Sequence, residues 1–330
     1  MWYRTGGGLV ALILSLLVAS RPVTAQQSVT LPRIGVLSPA SPPPPPSSTM
    51  DAFRQGLRDL GYIEGQTILL EYRYAEGKLD RFPALAADLV RLRPDVIATW
   101  LSSGLQAVQQ VTTTIPIVSL GASLLVEQGL VASLDHPCGN ITGVEGYSLG
   151  LSGKRLEILK DAVPQISRVA FLFNPTGPVG KFELPRLATD ARALGVQLQH
   201  VPVRHPDAFD AACAAIVASQ PDALFIADEG MFYSYLRQIM HFAATHQLPT
   251  VSGNRRFAEA GSLISHGYDL RELAQRGAVY VDKILKGARP GDLPIERTLK
   301  FELLINLTTA QTLGLTLSPM FLFRADGVIK

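Results

Sequence analysis

Six short stretches hold the side chains that could do chemistry in this chain of 330 residues. They are Ser38-Pro39-Ala40-Ser41, Ser102-Ser103-Gly104, Gly121-Ala122-Ser123, Asn174-Pro175, Asp228-Glu229 and Ser252-Gly253-Asn254-Arg255. Each follows an apolar run of strand character. Hydroxyls and backbone N–H groups at such places hold anions, and a carboxylate such as Asp228 holds a cation. Turn and N-cap chemistry accounts for Ser, Gly, Asn or Asp at any single one of them. Convergence of all six on one cleft is the stronger signal. The chemistry they offer is binding, because the constellations of catalysis are missing. There is no Gly-x-Ser-x-Gly, no glycine-rich phosphate loop ending in Gly-Lys-Ser/Thr and no His-Glu-x-x-His. His241 and His246 stand five apart, the wrong spacing for ligation from one helical face, and His200 and His205 flank a strand end without a partner at motif spacing. Asp228 and Glu229 are adjacent, so at a strand end they point different ways. A glycosidase would need a second acid elsewhere in the cleft. The reading is not an enzyme, with no metal and no cofactor.

The elements that must position these residues alternate between strand and helix. Strand-like runs cover 33–37, 67–74, 95–99, 116–120 and 140–145, with helical patterns over 49–60, 82–92 and 105–111 between them. The pattern then restarts, with helices expected over 151–163, 183–194, 208–219 and 233–246 and strands over 168–173, 196–201, 223–227 and 250–251. Strands alternating with helices of this length predict parallel, doubly wound α/β sheets, and two series predict two lobes. From Gly261 to Gly314 a short apolar run (Leu263, Ile264) ends at a Gly-Tyr-Asp turn, a helix follows over 268–286, and a last β-like run covers 301–305 before another helical pattern. In open α/β sheets ligands bind beyond the carboxyl ends of the strands, which is where the six stretches fall.

The N-terminus carries a different message. Arg4 precedes an apolar run, Leu9 to Val18, and Val23-Thr24-Ala25 offers small residues to a signal peptidase, with cleavage before Gln26. The run is shorter than the roughly 18 apolar residues of a membrane anchor, and no Cys follows it to take a lipid. Residues 1–25 therefore read as a signal peptide of an exported, periplasmic protein without a lipid anchor. About 305 residues remain, the size of two lobes. A net charge of +2 gives no nucleic-acid footprint, and two cysteines, Cys138 and Cys213, are too few for a disulfide framework and read as free thiols.

The chain resembles a family of bacterial ABC-transporter substrate-binding proteins with the type 1 periplasmic binding fold, the family that includes tryptophan- and tyrosine-type binders. The resemblance runs from about Arg33 to Ile329. It is carried by Phe53-Arg54-Gln55-Gly56-Leu57, Gly61-Tyr62, Glu71-Tyr72-Arg73, Ile115-Pro116-Ile117, Asn140-Ile141-Thr142-Gly143, Asn174-Pro175, Asp228 and Tyr280-Val281-Asp282-Lys283-Ile284-Leu285-Lys286-Gly287. Three departures fall in the expected cleft. Pro42 to Pro46 follows the first strand, Ser123-Leu124-Leu125 stands where the family often has Asp-Pro, and Ser265-His266-Gly267 stands where it usually has Ser-Tyr-Gly.

The resemblance implies a chain that crosses between lobes more than once. Lobe 1 is then 26–146 plus 268–296, and lobe 2 is 147–267 plus 297–330. It also implies a division of labour over an amino acid or related small molecule. Ser102, Ser103, Gly121 and Ser123, with Ser38 and Ala122 beside them, receive a carboxylate. Asp228, with Glu229, pairs the ammonium, and Asn174, Asn254, Tyr268 and Asp269 complete the contacts. Trp100, Phe232 and Tyr233 are either walls of the cleft or ordinary core. The implied partners are the small-molecule ligand and the ABC permease and ATPase of the inner membrane, with no nucleic acid and a monomeric chain. The alternatives are a periplasmic sensor subunit for a membrane receptor and, less favoured, a cleft enzyme on the same fold.

Overall fold

The computed structural model describes residues 2, 31–42, 49–146, 150–298 and 300–330. The residues read as a signal peptide, including Arg4, Leu9 to Val18 and Val23 to Ala25, lie outside the described residues, as do Pro43 to Pro46 of the proline run. Residues 31–330 form one compact unit. No helix among the described residues is long and apolar enough to cross a membrane.

In chain order the first elements are β1 (Arg33–Ser38), α1 (Thr49–Asp59), β2 (Leu69–Tyr74), α2 (Phe82–Arg91), β3 (Val96–Thr99), α3 (Ser102–Val111), β4 (Ile117–Ala122) and β5 (Ile141–Glu145). Then come α4 (Leu151–Ala162), β6 (Arg168–Phe173), α5 (Leu184–Ala193), β7 (Gln197–Pro202), α6 (Phe209–Ser219), β8 (Ala223–Ile226), α7 (Gly230–Ser234) and α8 (Leu236–Thr245). The chain finishes with β9 (Thr250–Ser252), α9 (Arg255–Glu259), β10 (Ile264–Tyr268), α10 (Leu270–Leu285), β11 (Glu296–Arg297), β12 (Phe301–Asn306), α11 (Leu307–Thr312), α12 (Pro319–Phe323) and β13 (Gly327–Ile329).

The strands form two sheets, ordered β11-β5-β4-β3-β1-β2 and β13-β12-β10-β9-β8-β6-β7. Central strands such as β3, β4 and β8 are buried at every residue, while the edge strand β2 is half-buried throughout. That contrast is what a parallel sheet covered on both faces produces. One face of the first sheet packs with α1 and α10 around Phe53, Leu57, Val118, Leu273 and Val281. Its other face packs with α2 and α3 around Phe82, Leu89, Ile97 and Val108. The second sheet has a single larger core built on Phe171, Phe225, Phe232 and Phe257.

The chain passes from one sheet to the other after β5, after β10 and after β11. The last passage explains the one antiparallel pair among the described strands. β10 ends at Tyr268 and β12 enters opposite it at Phe301, so β12 must run back along β10. The expected doubly wound parallel sheets are present, with β12 running antiparallel to its neighbour β10. The expected helix over 233–246 is corrected: it is two helices, α7 and α8, broken at Tyr235. The break turns Tyr233 toward Asp228 while Tyr235 stacks on Phe209 with ring centroids 5.6 Å apart. Tyr268 closes β10 as its last strand residue, and the turn expected around it is a strand end followed by the α10 N-cap.

Candidate functional site

The carboxyl ends of the second sheet's strands gather a buried cluster of charged and hydroxyl side chains. Asp228, just beyond β8, is its centre. Its Oδ1 accepts a hydrogen bond from the Tyr233 hydroxyl, and its Oδ2 lies 3.5 Å from Nη2 of Arg155. Arg155 projects from α4 and is fully buried. Its Nε donates to the His266 carbonyl of β10 at 2.7 Å, while Nη1 and Nη2 have no hydrogen-bond partner among the described residues. Gly253, beyond β9, lets the backbone lie against this pair, because a Cβ there would clash with the Arg155 guanidinium and come within 2.7 Å of Asp228 Oδ2. Asn254 follows and caps α9 by accepting from the Arg256 amide at 2.9 Å.

Two further carboxyls surround Asp228. Glu183 accepts from the Ser152 hydroxyl and faces Asp228 and Glu229. Burial, reinforced by the Asp228 charge, pushes its carboxyl up to about 8. The Glu229 carboxyl lies against Gly177 and accepts from the backbone amides of Val179 and Gly180. Burial and then Asp228 push it up to about 8 as well. Oε1 of each glutamate has no hydrogen-bond partner among the described residues. His266 is held as the neutral imidazole, its pKa pushed down to about 4 by burial and by Arg155.

Tyr268 connects this cluster to the first sheet. Its hydroxyl senses the Asp228 charge and lies within hydrogen-bonding reach of the Ser123 side chain, and burial raises its pKa far above the ordinary value. Ser123 in turn is tied to Ser102: the Ser102 hydroxyl donates to the Ser123 carbonyl at 3.0 Å and accepts from Gln128 Nε2 at 2.9 Å. Ser102, Ser123 and Tyr268 are thus linked in series on one side, Tyr268 lies within the field of Asp228, and Asp228 is joined through Tyr233 to Asn254.

The remaining expected residues have other engagements. Ser38 accepts from the Ala40 amide at 3.2 Å and closes its own turn. Ser103 is exposed on α3. Gly121 and Ala122 are buried, with Leu270 and Leu273 of α10 packed over Gly121. Asn174 accepts from the amide and hydroxyl of Thr176 at 3.0 and 2.8 Å, an Asx turn within its loop. Asp269 caps α10 and holds Arg271 at 2.9 Å, which lowers its pKa. Phe232 is core. Trp100 is also buried, edge-on to Phe53, with Nε1 unpartnered.

Arg155 and Glu183 were not singled out in the sequence. Arg155 had a readable signal: it lies four residues from both Leu151 and Leu159, on the buried face of α4. An arginine in an apolar stripe asks for a buried acceptor. What the cluster offers is both kinds of group at close range, unpartnered N–H donors on Arg155 and unpartnered carboxyl oxygens on Glu183 and Glu229. That set suits a small molecule with a cationic and an anionic end. Among the described residues no group of three or more His, Cys, Asp and Glu could hold a metal ion.

Comparison with known proteins agrees with this architecture. The model of a family described as ABC transporter substrate binding protein matches residues 34–329. A tyrosine-binding protein of Clostridioides difficile is 24% identical over 263 residues, covering 80% of this chain and 75% of that protein. The crystal structure of a conserved domain protein from Vibrio cholerae superposes with a TM-score of 0.82 at 26% identity, covering 91% of this chain and 100% of that one. An ABC domain in complex with L-Trp from Streptococcus pneumoniae gives 0.82 at 22% identity, with the same coverage. The two-sheet architecture is that of type 1 periplasmic binding proteins.

Proposed function

The chain belongs to the ABC transporter substrate-binding protein family, and from that premise we propose that it is an exported, periplasmic monomer that captures an amino acid or a close relative between two lobes. The lobes are 26–146 plus 268–296 and 147–267 plus 297–330, and closure presents both to a permease that works with its ATPase. It acts by binding, without turnover. The observation that carries this reading is the buried cluster at the strand tips, where Arg155, Glu183 and Glu229 all hold polar atoms without partners. Buried polar atoms in folded proteins are satisfied by something, and a zwitterion supplies both an acceptor and a donor. The names of the relatives, a tyrosine binder and an L-Trp complex, support the amino-acid class.

A ligand works on such a fold by touching both lobes and shifting the open–closed population. Ser102, Ser123 and Tyr268 together with Asp228 supply contacts on both sides. The test is a thermal-shift screen over amino acids, small carboxylates and nucleosides on the mature chain, followed by calorimetry. A ligand at a hundred to a thousand times its Kd should add roughly 3 to 4 kcal/mol of stability. Asp228→Asn should weaken the best ligand by about tenfold or more while leaving the fold intact. Undiminished affinity in that variant would sink the role given to Asp228.

A further inference from the structure

We propose that Arg155 receives the anionic group of the ligand, so that the site selects molecules bearing a carboxylate and holds it from the second sheet. This rests on the reading of the strand-tip cluster as the ligand site. A guanidinium has five N–H donors. In Arg155 only Nε is engaged, with the His266 carbonyl, and the four donors on Nη1 and Nη2 have no acceptor although the side chain is fully buried. The nearest anion, Oδ2 of Asp228, stands 3.5 Å from Nη2, beyond the roughly 2.7–2.9 Å of a charge-assisted hydrogen bond. The other oxygen of Asp228 is already held by Tyr233. A buried charge with unused donors is strongly disfavoured, and an apolar side chain on that face of α4 would pack at less cost. An acceptor that arrives with the ligand resolves the conflict.

Position and shape agree. Asp228 and Gly253 beside the guanidinium directly follow β8 and β9, and the His266 carbonyl comes from the middle of β10, so it sits near the carboxyl ends where α/β sheets bind ligands. Its planar fork matches the two oxygens of a carboxylate. Asp228 beside it would face the ammonium, which in an α-amino acid hangs from the same carbon as the carboxylate. The competing anion receptors are engaged elsewhere: the Ser102 hydroxyl binds the Ser123 carbonyl and Gln128, and Ser103 is exposed. The ligand's head group is therefore oriented with its carboxylate toward α4, the reverse of an arrangement in which first-sheet hydroxyls take it.

The test uses the mature chain, the twenty common L-amino acids and their carboxamides, with affinities from calorimetry. The expected result is that the best-bound acid exceeds its carboxamide by about a hundredfold. In Arg155→Gln, with folding checked by circular dichroism, the acid should fall to the level of the amide, and Arg155→Lys should recover part of the difference. Equal binding of acid and amide by the wild type overturns the proposal alone, and that comparison stands even if the Arg155 variants fail to fold. Arg155→Gln weakening acid and amide by the same factor also overturns it, assigning Arg155 to holding Asp228 in place. No binding by any member of the panel overturns the reading of the site and the proposal with it.

Discussion

Glu183 is buried against two other carboxyls, and its proton is the cheapest way to relieve that crowding. In an unfolded chain a glutamate titrates near 4.3, whereas burial and Asp228 push Glu183 up to about 8. Between those pH values the folded form keeps a proton that the unfolded form has lost. Stability must therefore fall as pH rises across that window and level off above it. Glu229, pushed up to about 8 by burial and Asp228, adds to the same slope. The ligand-free protein should melt at a lower temperature at pH 8 than at about pH 5, measured by calorimetric or fluorescence melts. Glu183→Gln mimics the protonated acid, so it should flatten the slope and melt several degrees higher than wild type at pH 8, since about 1 kcal/mol moves Tm by roughly 2 to 4 °C in a chain of this order. An unchanged slope would mean that Glu183 is ionised in the folded protein. A second residue-level expectation separates capping from binding. Asp269 accepts from the Arg271 amide and ion-pairs with its side chain at the start of α10, so Asp269→Ala should cost about 1 kcal/mol of stability. Ligand affinity should stay at the wild-type value, and a large loss would restore Asp269 to the site.

Among the elements, α10 ties the late part of the chain to the early part. It arrives after β10 of the second sheet, yet it packs on the first sheet and lies along α1, where Gly56 lets the two helices approach closely. A Cβ at Gly56 would come within 2.9 Å of the Ala278 Cβ and 3.0 Å of the Gln275 carbonyl. Tyr62 adds a hydrogen bond of 2.9 Å to Asp282 on α10. Gly56→Val should force the helices apart and cost about 1 to 3 kcal/mol in urea unfolding, with no clash to relieve at the strand tips. A variant as stable as wild type would show that α1 can slide. The strands and helices themselves were legible in the sequence because each is a strong apolar run or stripe with turn residues at its ends. Val96 to Thr99 and Leu151 to Ala162 are examples. The break at Tyr235 was not legible, because it is set by tertiary demands: Tyr233 is drawn to Asp228 and Tyr235 to Phe209. β13 and α12 carry little pattern of their own and form where the sheet's far edge accepts them. The buried cluster divides in the same way. Asp228, Asn254 and Tyr268 could be read from their places at strand tips. Ser103 looked like its neighbour Ser102 but faces solvent, because successive residues of a helix point about 100° apart. Arg155 was readable only by asking why a charge sits on an apolar stripe.

Across the whole molecule, the halves built on the two sheets meet at places other than the chain crossings. Ser234, at the end of α7, donates its hydroxyl to the Gly77 carbonyl beyond β2 at 3.1 Å. Gly230, at the start of α7, lies against Leu101 and Leu79, where a Cβ would come within 2.9 Å of the first and 3.5 Å of the second. The helix that positions Tyr233 is thus also a surface on which the first sheet's loops rest, so on the proposed function a closing movement would bear directly on Asp228. A side chain larger than hydrogen at position 230 should act as a wedge between the halves. Gly230→Leu is expected to lower the melting temperature of the ligand-free protein only modestly, because Leu79 and Leu101 are partly buried at the margin of the first sheet's cores rather than within them. It should nevertheless weaken ligand binding by about tenfold or more, since the binding-competent closed form becomes a minor population and apparent affinity falls with that fraction. Small-angle scattering supplies the independent readout. Saturating ligand should contract the wild-type particle, while the variant should start more extended and contract only at much higher ligand concentration. Wild-type affinity together with a wild-type scattering curve would show that Leu79 and Leu101 simply move aside, and closure would then have to be controlled elsewhere, at the Ser123–Tyr268 contact.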